Sequence, residues 1–250
     1  MKKCILLTVT VFLITLSSCK KKDSNNPTST NNPTPQNNTN TIEGKFLTGI
    51  SMNKGSTTFN YIATAAFYEP AVSGSNYIDG DSVCLNGTWL HNQTATTFYK
   101  YNSWLLPSNN MTCPVNFGMA YNWNLKGNAK VPTTNFLASK DSPYMDDTYI
   151  SMSSVSKSAG ITITHPSITA TRVVYAISSG NGSGTIRVTK TVTGNSTGVS
   201  FTSSELNQLS LGNGSIRIEA YNEEITTPNS TTSFTFTNET DLTASSTISN

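Results

Sequence analysis

The chain has 250 residues, of which Ser, Thr and Asn account for 100, while Asp, Glu, Lys and Arg make up only 12%. A composition so poor in charge excludes a coiled coil or a charged helical bundle, yet the 36% hydrophobic content comes in short bursts that still allow a buried core. Setting aside Lys2, Lys3, Lys20, Lys21, Lys22 and Asp23 from the 16 basic and 14 acidic residues leaves 11 and 13, so no basic field remains to attract nucleic acid.

Lys2 and Lys3 precede an uncharged apolar run over 4–16, CILLTVTVFLITL. The run is too short to span a bilayer comfortably and reads as the hydrophobic region of a signal peptide over 1–18. Leu16-Ser17-Ser18-Cys19 follows, and it resembles the lipobox of bacterial lipoproteins: an aliphatic residue, two small residues, then the cysteine that carries the lipid. The resemblance implies that Cys19 becomes the acylated N-terminus. Several acyl chains, at about 0.8 kcal/mol per buried CH₂, would hold it stably in the membrane. The segment 19–42, CKKKDSNNPTSTNNPTPQNNTNTI, has almost nothing to bury and is expected to be a disordered tether with an end-to-end distance on the order of 25–30 Å. A Ser, Thr and Asn-rich tether behind a lipobox is similar to lipoproteins of the Bacteroidota, which implies an outer-membrane location. The surface signals of that group are acidic, whereas three lysines here precede a single aspartate, so surface exposure and a periplasmic face both stay open.

From residue 43 the apolar residues come in strand-length runs, with no long stretch of helical period. A first β module is expected over 43–138. It contains one long or bent strand over 59–68, a hairpin in which Asn86-Gly87 joins 82–85 to 88–90, a strand over 98–106, and a strand over 115–125 that places Phe117, Met119, Tyr121, Trp123 and Leu125 on one face. The polar stretch 138–143 ends it. A second module over 139–250 has seven short strands, near 149–152, 161–163, 173–177, 185–188, 199–201, 215–221 and 233–236, with Gly/Asn-rich turns and one helical turn at 204–209 capped by Ser203. The fold class expected is all-β: two antiparallel β-sandwich-like modules after a disordered tether. Over 147–238 the pattern is similar to the immunoglobulin-like and fibronectin-type sandwiches of bacterial surface proteins, a likeness that carries no function.

Chemistry-bearing residues are few. Cys84 and Cys113 are either a disulfide, which an exported protein can keep, or separate thiols with Cys84 buried in its strand. Cysteines and histidines lack zinc spacing, so no metal and no cofactor are expected. His91, His165, the pair Asp79 and Asp81, and the group Asp141, Asp146 and Asp147 sit where turns want polar residues, and no nucleophile elbow or phosphate loop occurs. An enzyme is therefore not expected. Tyr121 and Trp123 read as core, whereas Trp89, Tyr99, Tyr101 and Trp104 are the candidates for an exposed ligand-binding platform. Asp81-Ser82-Val83 resembles the short O-glycosylation signal of exported Bacteroidota proteins, which marks Ser82. The expectation is a non-catalytic envelope lipoprotein for adhesion, assembly or ligand binding, with a carbohydrate-binding accessory protein as the alternative and an envelope hydrolase third. Its partners would be the membrane, through the lipid, and a glycan or protein ligand.

Overall fold

The computed structural model describes residues 42–71, 74–93, 98–102, 114–181 and 184–250. The segments expected to be a signal peptide and, but for Ile42, a tether lie outside the described residues, Cys19 among them, as do Trp104 and Cys113. The chain starts with β1 (Ile42–Asn53), which alternates inward Ile42, Phe46, Ile50 and Met52 with outward Glu43, Lys45 and Asn53. Gly44 takes an inward position because a Cβ there would lie 2.5 Å from the Phe234 ring. β1 pairs antiparallel with β2 (Phe59–Ala71). Further along come β3 (Gly74–Ile78), β4 (Val83–Leu85), β5 (Thr88–Trp89), β6 (His91–Gln93), β7 (Phe98–Asn102), β8 (Asn122–Leu125) and β9 (Thr134–Leu137). The second half holds β10 (Ser154–Ser156), β11 (Ile161–Ile168), β12 (Arg172–Asn181), β13 (Gly184–Thr193), β14 (Ser196–Phe201), the short helix α1 (Ser203–Leu206), β15 (Gly212–Asn229) and β16 (Thr232–Ser249). No helix of the described residues is long and apolar enough to cross a membrane.

The protein is all-β. One large sheet runs β13-β12-β15-β16-β1-β2-β7-β6, with β10 beside β16 and β3 beside β2. Two smaller sheets, β5-β4-β8-β9 and β11-β14, supply the residues that pack against its inner face. Val83, Leu85, Trp123 and Leu125 of the first meet Phe46, Ile50, Phe67, Phe234 and Phe236 in one core. The Phe46 ring stacks on Phe236 at 4.5 Å and meets Trp123 edge-on at 5.2 Å. Ile163, Ile168, Phe201, Leu206 and Leu209 cover Tyr175, Ile177, Ile216, Ile218 and Leu242 in a second core.

The two cores share strands, and Met52 of β1 packs in the second. β16 contributes Phe234 and Phe236 to the first core and Leu242, Ala244 and Ile248 to the second. Between them lies a buried polar belt of Thr48, Asn222, Asn238 and Thr240. Thr48 Oγ1 donates to Asn238 Oδ1 at 2.7 Å, Asn238 Nδ2 donates to the Lys140 carbonyl at 2.6 Å and Asn222 Nδ2 to the Asp141 carbonyl at 2.8 Å. The connection between the halves is thus bonded along the belt, and residues 39–250 form one compact unit.

Several local expectations change. Most pairings are antiparallel, but β16 pairs in parallel with both β1 and β10, which places the first described strand beside the last. Residues 115–120 are turn and coil, because Gly118 adopts φ +66°, and strand begins at Asn122. Tyr149 belongs to a 3-10 turn (Asp147–Tyr149) whose amide Thr148 N is capped by Asp146, so the strand expected at 149–152 is replaced by β10 further on. The helical turn is capped by Thr202, not Ser203: Thr202 Oγ1 accepts from Glu205 N while the Glu205 side chain accepts from Thr202 N, a reciprocal capping box. The hairpin turn is as expected, with Asn86 at φ +48° and Gly87 at +81°, the positive angles of a type I′ turn.

Candidate functional site

The small sheet β5-β4-β8-β9 turns one face to the first core; on the other, Trp89 and Leu137 of the outer strands are exposed, while Cys84 and the Asn122 Oδ1 of the inner strands are buried. Its register sets the two faces apart. Trp89 lies opposite Cys84, Cys84 opposite Asn124, and Asn124 opposite Asn135, so these four form a row across the sheet on the side away from Leu85, Trp123 and Phe136. Asn122 and Leu137 pair beside them on the same side. Trp89 is 58% exposed and Leu137 64%, Asn135 is exposed and Asn124 half-buried. Three strand spacings of about 4.8 Å make the row roughly 14 Å long. Among the described residues nothing bonds the Trp89 indole N–H or the Asn124 and Asn135 amides. Cys84, between the two ends, is a buried thiol, pushed up in pKa by burial with a partly offsetting hydrogen bond from the Gly87 backbone; its expected partner Cys113 lies outside the described residues. The strip offers a large aromatic surface next to neutral hydrogen-bonding groups.

Asn124, Asn135 and Leu137 were not singled out by sequence reasoning. The signal was present in Asn122-Trp123-Asn124-Leu125, where asparagine, disfavoured in strands, alternates with core residues. Of the aromatics expected to form a platform, Trp89 alone among the described residues lies on this sheet. Tyr99 and Tyr101 are on β7 of the large sheet, in register with Ala65 and Ala63, both fully buried; Trp104 lies outside the described residues. Tyr121 and Trp123 are core residues, at 0% and 2% exposure.

Among the candidates for catalytic chemistry, Asp81, Asp146 and His165 make local structural contacts. Asp81 pairs with Lys126 at 3.1 Å and accepts from Ser82 Oγ at 2.9 Å, which together hold its carboxyl below the usual range. Ser82 is half-buried at the start of β4. His165 is packed between Tyr149 and Tyr175, with ring centroids at 5.6 and 5.7 Å; it bonds Tyr175 Oη at 2.7 Å through Nε2 and the Pro166 carbonyl at 2.7 Å through Nδ1, and burial lowers its pKa. It is a half-buried histidine of β11 with both ring nitrogens bonded, rather than the turn residue expected. No group of three or more His, Cys, Asp or Glu side chains among the described residues could hold a metal ion.

Two further features compete with the strip. A groove of about 410 Å³ is lined by Lys140, Asp141, Tyr144, Thr169, Asn195 and Asn222, among others, and several of its polar atoms are engaged: Asn222 with Thr171 N and the Asp141 carbonyl, Asn195 Oδ1 with Ala170 N, Lys140 Nζ with Thr171 Oγ1, and Tyr144 Oη with Asp146. The outer face of the large sheet carries an ionic network in which Glu219 sits opposite Asp241 and Tyr221 opposite Glu239. Arg187 and Arg217 hold Glu219 at 2.7 and 2.9 Å, and Arg217 holds Asp241 at 2.7 Å. Tyr221 Oη donates to Glu219 at 2.9 Å, and Arg172 lies 3.8 Å over the Tyr221 ring. Burial and the neighbouring carboxylates push Glu239 up to about 7; burial, opposed by Arg217, leaves Asp241 raised to about 6.

No family model, curated protein or solved structure matches the chain.

Proposed function

We propose that the chain is a non-catalytic lipoprotein of the cell envelope, held in the outer membrane through acylated Cys19, whose β domain captures a partner outside the bilayer. The observation that carries the capture role is the outward strip of the β5-β4-β8-β9 sheet. A tryptophan that keeps 58% of its surface exposed, on a face that also presents Asn135 and Leu137, is the kind of aromatic anchor that contact surfaces use. The lipobox and the tether support the anchor, since a spacer of that length lifts a domain off the headgroups.

The anchor is tested by mass spectrometry of the mature N-terminus together with fractionation of a Cys19→Ala variant. The expected outcome is a diacylglyceryl group on Cys19 and loss of membrane association in the variant; an unmodified Cys19 in membrane-bound protein rejects it. The capture role is tested with a photo-crosslinking residue at position 137 in intact cells. An adduct that forms in the parent and disappears with Trp89→Ala is expected, and an adduct indifferent to Trp89 counts against the strip.

A further inference from the structure

We infer that the β13 edge of the large sheet pairs with β13 of a second copy of this chain, antiparallel and centred on Thr189; the inference does not depend on the Trp89 strip. β13 closes one side of the large sheet and keeps an unbroken register with β12 over its 10 residues. Its other side is therefore a straight row of backbone N–H and C=O groups. Among the described residues, no hydrogen bond reaches the 185–193 backbone from that side. The opposite end of the sheet is blunt by comparison, since β6 has 3 residues. Long regular edges are templates for pairing, and proteins guard them with bulges, prolines or charges that project past the edge. β13 has no proline and no register shift, and both of its charges are drawn elsewhere. Arg187 reaches back over the sheet to Glu219 at 2.7 Å, and Lys190 is held by the Ser200 carbonyl at 2.7 Å and by Glu205 at 2.9 Å.

Register identifies the occupant. Thr185, Arg187, Thr189, Thr191 and Thr193 lie on the outer face, and Ile186, Val188, Lys190 and Val192 on the core face. In an antiparallel self-pairing each residue must meet one on the same face, so the two-fold axis passes through a residue. An axis at Arg187 or Lys190 sets like charges opposite each other, which is destabilising. An axis at Val188 sets the Lys190 ammonium stem against Ile186, and axes nearer either end leave part of the strand unpaired. An axis at Thr189 avoids all of these. It pairs Thr185 with Thr193, Thr189 with its counterpart and Arg187 with Thr191 on the outer face, and Ile186 with Val192 on the core face. Val188 then packs along the Lys190 stem. Thr–Thr pairs are favourable cross-strand neighbours, and Ile186, which is 37% exposed, gains an apolar partner. The same patch serves both copies, as a closed two-fold dimer requires.

An edge contact is small beside a standard interface, so the test captures it covalently, in intact cells that express the full chain, with a short bifunctional thiol reagent. Thr189→Cys should link to itself, because the two copies meet there. Thr185→Cys and Thr193→Cys should link when the two chains are co-expressed and not when either is expressed alone, since away from the axis equal positions lie far apart. Each is read against the parent chain, whose own cysteines give the background. Added to Thr189→Cys, Thr191→Lys sets a second cation opposite Arg187 and should weaken the link by about two- to fivefold, whereas Thr191→Glu should preserve or strengthen it. Positions 185, 189, 191 and 193 are all exposed, so circular dichroism of the purified variants should be unchanged. Absence of a link at 189, a link that responds equally to both charges at 191, or self-linking of 185 and 193 as strong as their mutual link overturns the inference. A link from 189 to a different protein, without self-linking, overturns the second-copy assignment.

Discussion

Glu239 occupies an outward position on β16, beside Gly49 on one strand and Tyr221 on the other, and has two carboxylates as close neighbours. Burial, Asp241 and Glu219 push its carboxyl up to about 7, above the value of about 4.3 in an unfolded chain. A carboxyl raised in the folded state binds its proton more tightly there, so its contribution to stability is full below the unfolded pKa and is lost as pH rises through 7. His165 works in the opposite sense, since burial lowers its pKa and acid must charge it in the unfolded chain first. Glu239→Gln separates the two: the melting temperature of the variant should exceed that of the parent at pH 8, by the equivalent of on the order of 2 kcal/mol, and the gap should close at pH 4. A gap independent of pH would rule out Glu239 as the titrating group. A second residue sets a different test. Thr240 is fully buried in the polar belt, and its Oγ1 makes no hydrogen bond. Thr240→Val keeps the shape and removes the unpaired hydroxyl, so stability should rise by about 1 kcal/mol in urea denaturation, and a fall would mean the hydroxyl has a partner after all.

Among the elements, those with clean alternation and explicit turns were legible in the sequence. The Asn86-Gly87 hairpin and the strands β11 to β14 follow from hydrophobic period and turn residues alone. β1 did not, because its inward positions include Gly44 and Thr48: the first exists to admit the Phe234 ring and the second to bond Asn238, 190 residues away. Neither purpose can be read from neighbours in sequence. Of β15 and β16, 18 residues each, only 215–221 and 233–236 were legible, because Asn222 and Asn238 look like loop composition but are belt residues bonded to the chain connecting the two cores. The site was half legible. Trp89 was marked by its place after a tight turn, whereas Asn124 and Asn135 join it only through a register that spans four separate strands.

For the whole molecule, the division into two modules has a consequence for truncation. The first core needs Phe234 and Phe236 from the far end of the chain, and β1 needs β16 as a pairing partner. A fragment covering 43–138 should therefore be unfolded on its own, with poorly dispersed amide resonances, while 39–250 should melt in a single transition; a well-dispersed spectrum from the short fragment would show that the first core closes without β16.

The parallel pairing of β1 and β16 also bears on how the domain takes mechanical load. A pull from upstream enters at Ile42 and runs along the axis of β1, which is flanked for nearly its whole length by β16 on one side and β2 on the other. The force is then shared across both ladders in shear, rather than opening one bond at a time as in peeling a hairpin end. Because forced opening is governed by the rate of unfolding and not by the equilibrium, a pull through Ile42 meets the domain at a central strand, where many hydrogen bonds must fail together before the fold opens.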